Sequence, residues 1–386
     1  MKNEKWNELS PETVARLQAE FLEWYHREKR NLPWRATSDP YAIWISEIML
    51  QQTRVETVIG YYYRFMELFP TIHDLAVADE QKLLKVWEGL GYYSRARNLK
   101  IAAQQIVDEY HGEMPKTIEE IRKLKGIGPY TAGAIASIAF GLPEPAIDGN
   151  VMRVVSRLFE IDEDIAKASS RKTFDEAMRK IISHEEPGEF NQALMDLGSR
   201  ICTPTSPECA ECPLQDFCLA YKDGRQEDFP VKTKKLKPKD VYYVATALEN
   251  SKGEYLLQQR PASGLLASMW TFPLMEVSET EYQRLLKEWQ KKTDDQLSLF
   301  VAEESELPEF FDRKVVWQKR HLGEITHIFS HLKWHMLLFY GRTEQKELEE
   351  NQRFASVNAF NEYVFPKPQQ KLVEQLKKNH LSDKDF

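Results

Sequence analysis

The chain predicts a multidomain protein, all-α over its first 225 residues and α+β beyond residue 240. Three observations carry that expectation. At 386 residues the chain exceeds one ordinary core and can bury two stable interiors. Apolar residues then recur with helical period in the first part and with period two after Asp240. Between Arg225 and Asp240 both patterns lapse, and Val231–Lys239 places five lysines in nine residues. Residues 226–239 are therefore expected to be a basic interdomain linker, a solvated tether that can also track phosphates.

Taken in order, Pro11–Trp24, Tyr41–Thr53 and Val151–Phe159 read as helices, with Pro and Gly punctuating between them. The longest uncharged apolar stretch, 129–143, is shorter than the roughly 20 residues a bilayer requires, so it reads as a buried helix. The first five residues lead into polar sequence without an apolar signal core, which points to a reducing cytoplasm. After the linker, Val241–Leu248 and Glu254–Gln259 flank an Asn250-Ser-Lys-Gly253 turn and predict a hairpin. Lys333–Tyr340 reads as a further strand and Gln369–Lys378 as a closing helix.

Charge speaks against bulk attraction to nucleic acid. Lys plus Arg is 52 and Asp plus Glu is 60, a net −8, and the chain on either side of residue 240 is acidic. Any DNA affinity must come from local patches and backbone donors. One such place is Lys125-Gly-Ile-Gly-Pro129, where Gly126 and Gly128 permit a tight turn and Pro129 opens the uncharged helix. Amides at a helix N-terminus bind phosphate without net positive charge on the protein.

The only four cysteines, Cys202, Cys209, Cys212 and Cys218, have six, two and five residues between successive members. This crowding supplies four thiolates to one metal centre, by spacing either a cluster or zinc; two disulfides are disfavoured without a secretory signal. Two carboxylates complete the chemistry. Asp148, in Asp148-Gly-Asn150, precedes a helix whose amides are expected to keep it ionised, with Asn150 orienting it. Glu47 lies among Ile43, Met49 and Leu50, an apolar setting that raises a carboxyl pKa as a general acid requires.

Leu32-Pro-Trp-Arg35, Ser46–Thr53, Glu88–Arg95, Asp148-Gly-Asn150, Phe190–Gly198 and the cysteine spacing together resemble the MutY family of adenine DNA glycosylases. That family lies within the endonuclease III, helix-hairpin-helix superfamily, and the likeness runs over about residues 15–225. It implies a helix-hairpin-helix glycosylase domain over 1–225 with one 4Fe-4S cluster on the 202–218 loop, and phosphate binding by the turn at Gly126 and Gly128. Glu47 would protonate adenine and Asp148 would stabilise or trap the sugar C1′. Endonuclease III-like relatives carry a Schiff-base lysine where this chain has Tyr130, so a monofunctional enzyme is implied. Gln52 and Tyr92 would fill the gap in the duplex, with Thr53 and Leu90 beside them, while Trp34, Arg35, Leu50 and Gln192 line the adenine pocket. The cluster loop contains no Lys or Arg, which leaves Arg200 and Lys222 at its flanks as better phosphate contacts.

Beyond the linker, Arg260–Pro273 resembles the Nudix-like C-terminal module of the same family, expected over 240–386. Glu276–Gln290 lacks the glutamate cluster that holds magnesium for hydrolysis, so binding without hydrolysis is implied. His327, Phe329, Ser330 and His331 would read 8-oxoguanine. The implied activity is hydrolytic removal of adenine opposite 8-oxoguanine or G, leaving an abasic site in base excision repair, by a cytoplasmic monomer acting on double-stranded chromosomal DNA. A bifunctional glycosylase–lyase and a non-enzymatic iron-sulfur DNA-binding protein are the alternatives.

Overall fold

The structure, a computed structural model, describes residues 4–233, 237–289, 300–301, 315–318 and 320–381. It divides into two compact units, Met1–Asp79 with Ser94–Lys235, and Glu80–Tyr93 with Leu236–Phe386.

The first unit is helical, and local chemistry fixes the starts of its helices. Ser10 caps Pro11–Glu28 by accepting from the Thr13 amide at 3.2 Å. Pro40–Leu50 has Pro at its first position and Asp39 as cap, and every residue from Tyr41 to Met49 is buried, as befits a helix apolar on all sides. It ends at Leu50 rather than running to Thr53, because Gln52 turns left-handed at φ 58°. Pro129–Phe140 starts on Gly128 and stops at Gly141, whose φ of 66° suits glycine. Gly149–Phe159 starts two residues before the predicted Val151, capped by Asp148. Phe21, Val155, Leu158, Phe174, Phe190 and Leu197 meet in one core, each worth roughly 1.5–3 kcal/mol of burial.

The second unit is a mixed sheet with helices. Lys239–Glu249 pairs in parallel with Leu332–Thr343, from Lys239↔Leu332 to Glu249↔Arg342, and antiparallel with Leu274–Val277. It meets Tyr255–Gln259 at Glu249↔Tyr255 across the predicted turn, where Asn250 Oδ1 accepts from the Lys252 and Glu254 amides. The hairpin is thus present, but the long parallel partner dominates, a non-local pairing that a local pattern does not reveal. Alternate residues enter opposite cores: Ala245 and Ala247 join Trp334 and Leu372, while Val244 and Leu248 join Tyr282 and Leu285. Glu279–Glu288 and the closing helix Lys367–Leu376 supply those covering residues.

Glu80–Tyr93 belongs to this second unit. Gln81 donates to the Ser268 carbonyl at 3.2 Å, Lys85 to the Tyr363 carbonyl at 3.0 Å, and Glu88 accepts from the Phe365 amide at 3.0 Å. Of the expected linker, the Thr233 amide bonds to Asp164 at 3.1 Å, Lys239 already lies in a strand, and residues 234–236 fall outside the described residues, as does Gln290 at the end of the magnesium-less stretch. Among the described residues, no helix is long and apolar enough to cross a membrane.

Candidate active site

A cavity of about 650 Å³ opens in the first unit and gathers Trp34, Arg35, Glu47, Leu50, Thr53, Tyr130, Asp148, Asn150 and Gln192. Glu47 comes from the buried Pro40–Leu50 helix and is only 4% exposed. Burial pushes its carboxyl from 4.5 up to about 7, against the opposing hydrogen bond that Tyr130 donates to its Oε2 at 2.7 Å. The Tyr130 phenol is driven well above its ordinary 10 by burial and by the Glu47 and Asp148 charges, so it stays a neutral donor.

Asp148 arrives on the loop between two helices, and close backbone approach positions that loop. A Cβ on Gly133 would sit 2.1 Å from the Pro145 carbonyl oxygen, so only glycine lets the loop lie against the Pro129–Phe140 helix. Asn191 ties the loop down, accepting from the Ala146 amide at 3.1 Å and donating to the Glu144 carbonyl at 2.9 Å. Asp148 Oδ1 then accepts from the Val151 amide at 2.8 Å and Oδ2 from Asn150 Nδ2 at 3.1 Å. These donors favour the ionised carboxyl, as the position before a helix leads one to expect. Burial outweighs them, and the Asp148 pKa lies above its ordinary 3.8, because the sequence shows the cap but not the depth.

Other walls are held from behind. Buried Asp196 binds Arg35 through both guanidinium nitrogens, at 2.7 and 3.0 Å, and Arg30 Nε at 3.0 Å. Burial pushes Asp196 upward, but Arg35 and Arg30 override it and hold it below the usual carboxylate range. Tyr25 donates to Gln192 Oε1 at 2.9 Å, which leaves the amide N–H groups of Gln192 on the cavity wall.

The four cysteines line a second, small cavity of about 30 Å³ and form no disulfide. Arg157 donates to Cys202 Sγ at 3.3 Å and to the Thr203 and Pro204 carbonyls at 2.7 and 3.2 Å, binding the start of the loop. Among the described residues, no three His, Cys, Asp or Glu side chains converge as ligands of a single ion do. Four sulfurs around one space, with an N–H donor on one of them, would hold a metal centre of thiolate ligands.

Three family descriptions match the chain: HhH-GPD superfamily base excision DNA repair protein over residues 45–180, iron-sulfur binding domain of endonuclease III over 202–218, and NUDIX domain over 244–375. The chain is similar to the adenine DNA glycosylase of Mus musculus, 37% identical over 83% of this chain and 69% of that protein. The Homo sapiens enzyme is 35% identical over 83% and 66%. That of Buchnera aphidicola subsp. Schizaphis graminum (strain Sg) is 30% identical over 92% and 96%. The chain belongs to the adenine DNA glycosylase family. It is a hydrolase of N-glycosyl bonds whose cofactor is one 4Fe-4S cluster, built from a helix-hairpin-helix unit and a Nudix-like unit.

Several residues that the glycosylase resemblance singled out are not among those lining the cavity. Gln52 is exposed and left-handed, beside but not lining it. Leu90 and Tyr92 belong to the second unit: Leu90 is buried, while Tyr92 is half exposed with φ 46°. Such positive φ values on non-glycine residues cost roughly 1–3 kcal/mol and concentrate at functional positions. Gly126 has φ 79° and lies so close to Asn98 that a Cβ would be 2.6 Å from it. Arg200 donates to the Glu28 carbonyl at 2.9 Å, and Lys222 is exposed. In the Nudix-like unit, His327 ends near the turn between Gly323–Ile328 and Leu332–Thr343, its ring 4.6 Å from that of Phe329. Ser330 and His331 are exposed on the turn, with Ser330 Oγ 3.3 Å from His331 Nδ1.

Sequence reasoning missed Asp196, Asn191, Gly133 and Arg157. Asp196 and Asn191 lie inside the quoted Phe190–Gly198 run, but their partners are more than 40 residues away and leave no local signal.

Proposed function

We propose that this chain removes adenine paired with 8-oxoguanine or G in duplex DNA by monofunctional hydrolysis, leaving an abasic site. One observation carries the reading: Glu47, with its carboxyl near pH 7, shares a cavity with Asp148 and a neutral Tyr130. A space of about 650 Å³ has room for an extruded nucleotide, and the base must leave the stack before its glycosidic bond is reachable.

Glu47 is the general acid. A carboxyl near 7 keeps its proton on about half the molecules at neutral pH, close to the optimum for delivering it to the leaving purine. The Tyr130 hydroxyl accommodates the carboxylate that remains. As the base departs, positive charge grows on the sugar, and Asp148, fixed by the Val151 amide and Asn150, offsets it in a partly dry site where charge attraction is strong. Gln192 offers amide donors to the purine edge, and Trp34 and Leu50 supply apolar walls.

No lysine lines this cavity among the described residues, and the position after Pro129 holds a phenol. Schiff-base formation therefore lacks its amine, which favours hydrolysis without strand cleavage. The exposed Ser330–His331 turn is assigned to the opposite base, with Phe329 and His327 packing behind it. The protein acts as a monomer on such DNA in the cytoplasm. Adenine release from duplexes with A opposite 8-oxoguanine, G or T, read as alkali-labile strand scission, tests the proposal. Release should be fastest opposite 8-oxoguanine; equal release from all three pairs would remove the assigned specificity.

A further inference from the structure

Next to the reaction cavity lies another space of about 270 Å³, lined by Arg122, Pro129, Tyr130, Pro145, Ile147, Arg171, Lys172, Asp175 and Arg179. Four of its side chains are cationic and one anionic, in a chain whose net charge is −8. The charged ones come from two separate segments, joined on the lining by Pro129 and Tyr130 from a third and by Pro145 and Ile147 from a fourth. Arg122 follows the short Ile118–Ile121 helix, Pro129 and Tyr130 open the next, and the remaining charges lie on Arg171–Ile181.

Internal pairing does not account for the convergence. Arg179 is committed to Asp175 and Glu144, each at 2.7 Å, and this takes up the only anionic side chain of the lining. Lys172 is 83% exposed and only 3.8 Å from Glu176, a pair of little energetic consequence. Arg122 and Arg171 make no side-chain hydrogen bond or ion pair among the described residues, and both are exposed. Two uncompensated guanidinium groups on one concave surface repel each other in the free protein, and an anion between them would relieve that cost. The planar donor fork of arginine matches phosphate oxygens.

Position selects the anion. Tyr130 lines both this cavity and the one holding Glu47, and Ile147 directly precedes Asp148. A strand whose sugar sits at Asp148 continues past this surface, and each of its nucleotides carries a phosphate. We propose that Arg122 and Arg171, assisted by Lys172, seat a backbone phosphate of the adenine-bearing strand within a few nucleotides of the reacting sugar. The inference rests on the reading of this unit as a DNA glycosylase.

The test is the salt dependence of binding of the full iron-loaded chain to an undamaged duplex. For wild type, Arg122→Gln/Arg171→Gln and Arg122→Lys/Arg171→Lys, the logarithm of affinity is plotted against that of salt concentration. Losing one phosphate contact should make the slope of the glutamine variant shallower by about 0.9, and the lysine variant should recover most of it. An unchanged slope in the glutamine variant overturns the proposal. Equal losses in both variants also overturn it, since the two arginines would then serve the fold rather than the charge. Because the duplex carries no mispair, this result is independent of excision. A wild-type chain that binds normally but releases no adenine from an A·8-oxoguanine duplex would defeat the proposed function instead.

Discussion

Replacing Glu47 by Gln should abolish most activity and yet stabilise the protein at alkaline pH. The folded carboxyl is raised from 4.5 to about 7, so between those values the native state holds a proton that the unfolded chain has released. Stability from this group is fully present below about pH 4.5 and is lost as pH rises through 7. At about 1.4 kcal/mol per tenfold change in acidity, wild type forfeits on the order of 3 kcal/mol by pH 8 that the uncharged glutamine does not. A glutamine oxygen can still accept from Tyr130, so the hydrogen bond at 2.7 Å has a substitute. Urea unfolding of the iron-loaded proteins from pH 5 to 8 measures the difference. The advantage of the variant over wild type should grow by about 2–3 kcal/mol across that range. A difference that stays flat with pH would show that Glu47 is not held protonated by its burial, and the general-acid assignment would lose its physical basis.

Other outcomes follow from the same geometry. Asp148→Asn should bind the mispaired duplex but release adenine roughly 10²–10³-fold more slowly in single turnover, because an amide cannot offset the sugar's charge; near-normal release would remove Asp148 from the chemistry. Cys209→Ser should lower the iron content of the purified protein and weaken duplex binding while much of the helical circular dichroism persists, since the cysteines gather on one loop. Stoichiometric zinc in wild type would contradict the cluster. Ser330→Ala should lose part of the preference for 8-oxoguanine over G, by about 1–3 kcal/mol at most, with excision opposite G little altered; an unchanged preference would move recognition of the damaged base elsewhere.

Legibility in the sequence followed the range of the interactions. Two helix starts were readable because capping is local: Gly128 and Asp148 each announce a helix within three residues. The pattern of Val241–Leu248 announced a strand, but not the parallel register of Lys239–Glu249 with Leu332–Thr343, since that pairing joins residues about ninety apart. The cavity residues were named from motifs, and nine of them converge. What holds them was not: Asp196 behind Arg35, Asn191 on the Asp148 loop and Gly133 beneath Pro145 act across long sequence separations. The capping of Asp148 could be read locally, whereas the burial that pushes its pKa upward is set by the whole unit. Grouping of Glu80–Tyr93 with the sheet unit likewise depends on Ser268, Tyr363 and Phe365, far downstream.

The most direct measurement of the central claim is the product of a single turnover on an A·8-oxoguanine duplex, with and without borohydride. The account predicts free adenine and an intact strand carrying an abasic site, cleaved only after alkali, with no covalent protein–DNA adduct, because Tyr130 offers no amine beside Glu47 and Asp148. A borohydride-trapped adduct with strand cleavage before alkali would contradict it and assign the chain a lyase mechanism through an amine outside this cavity.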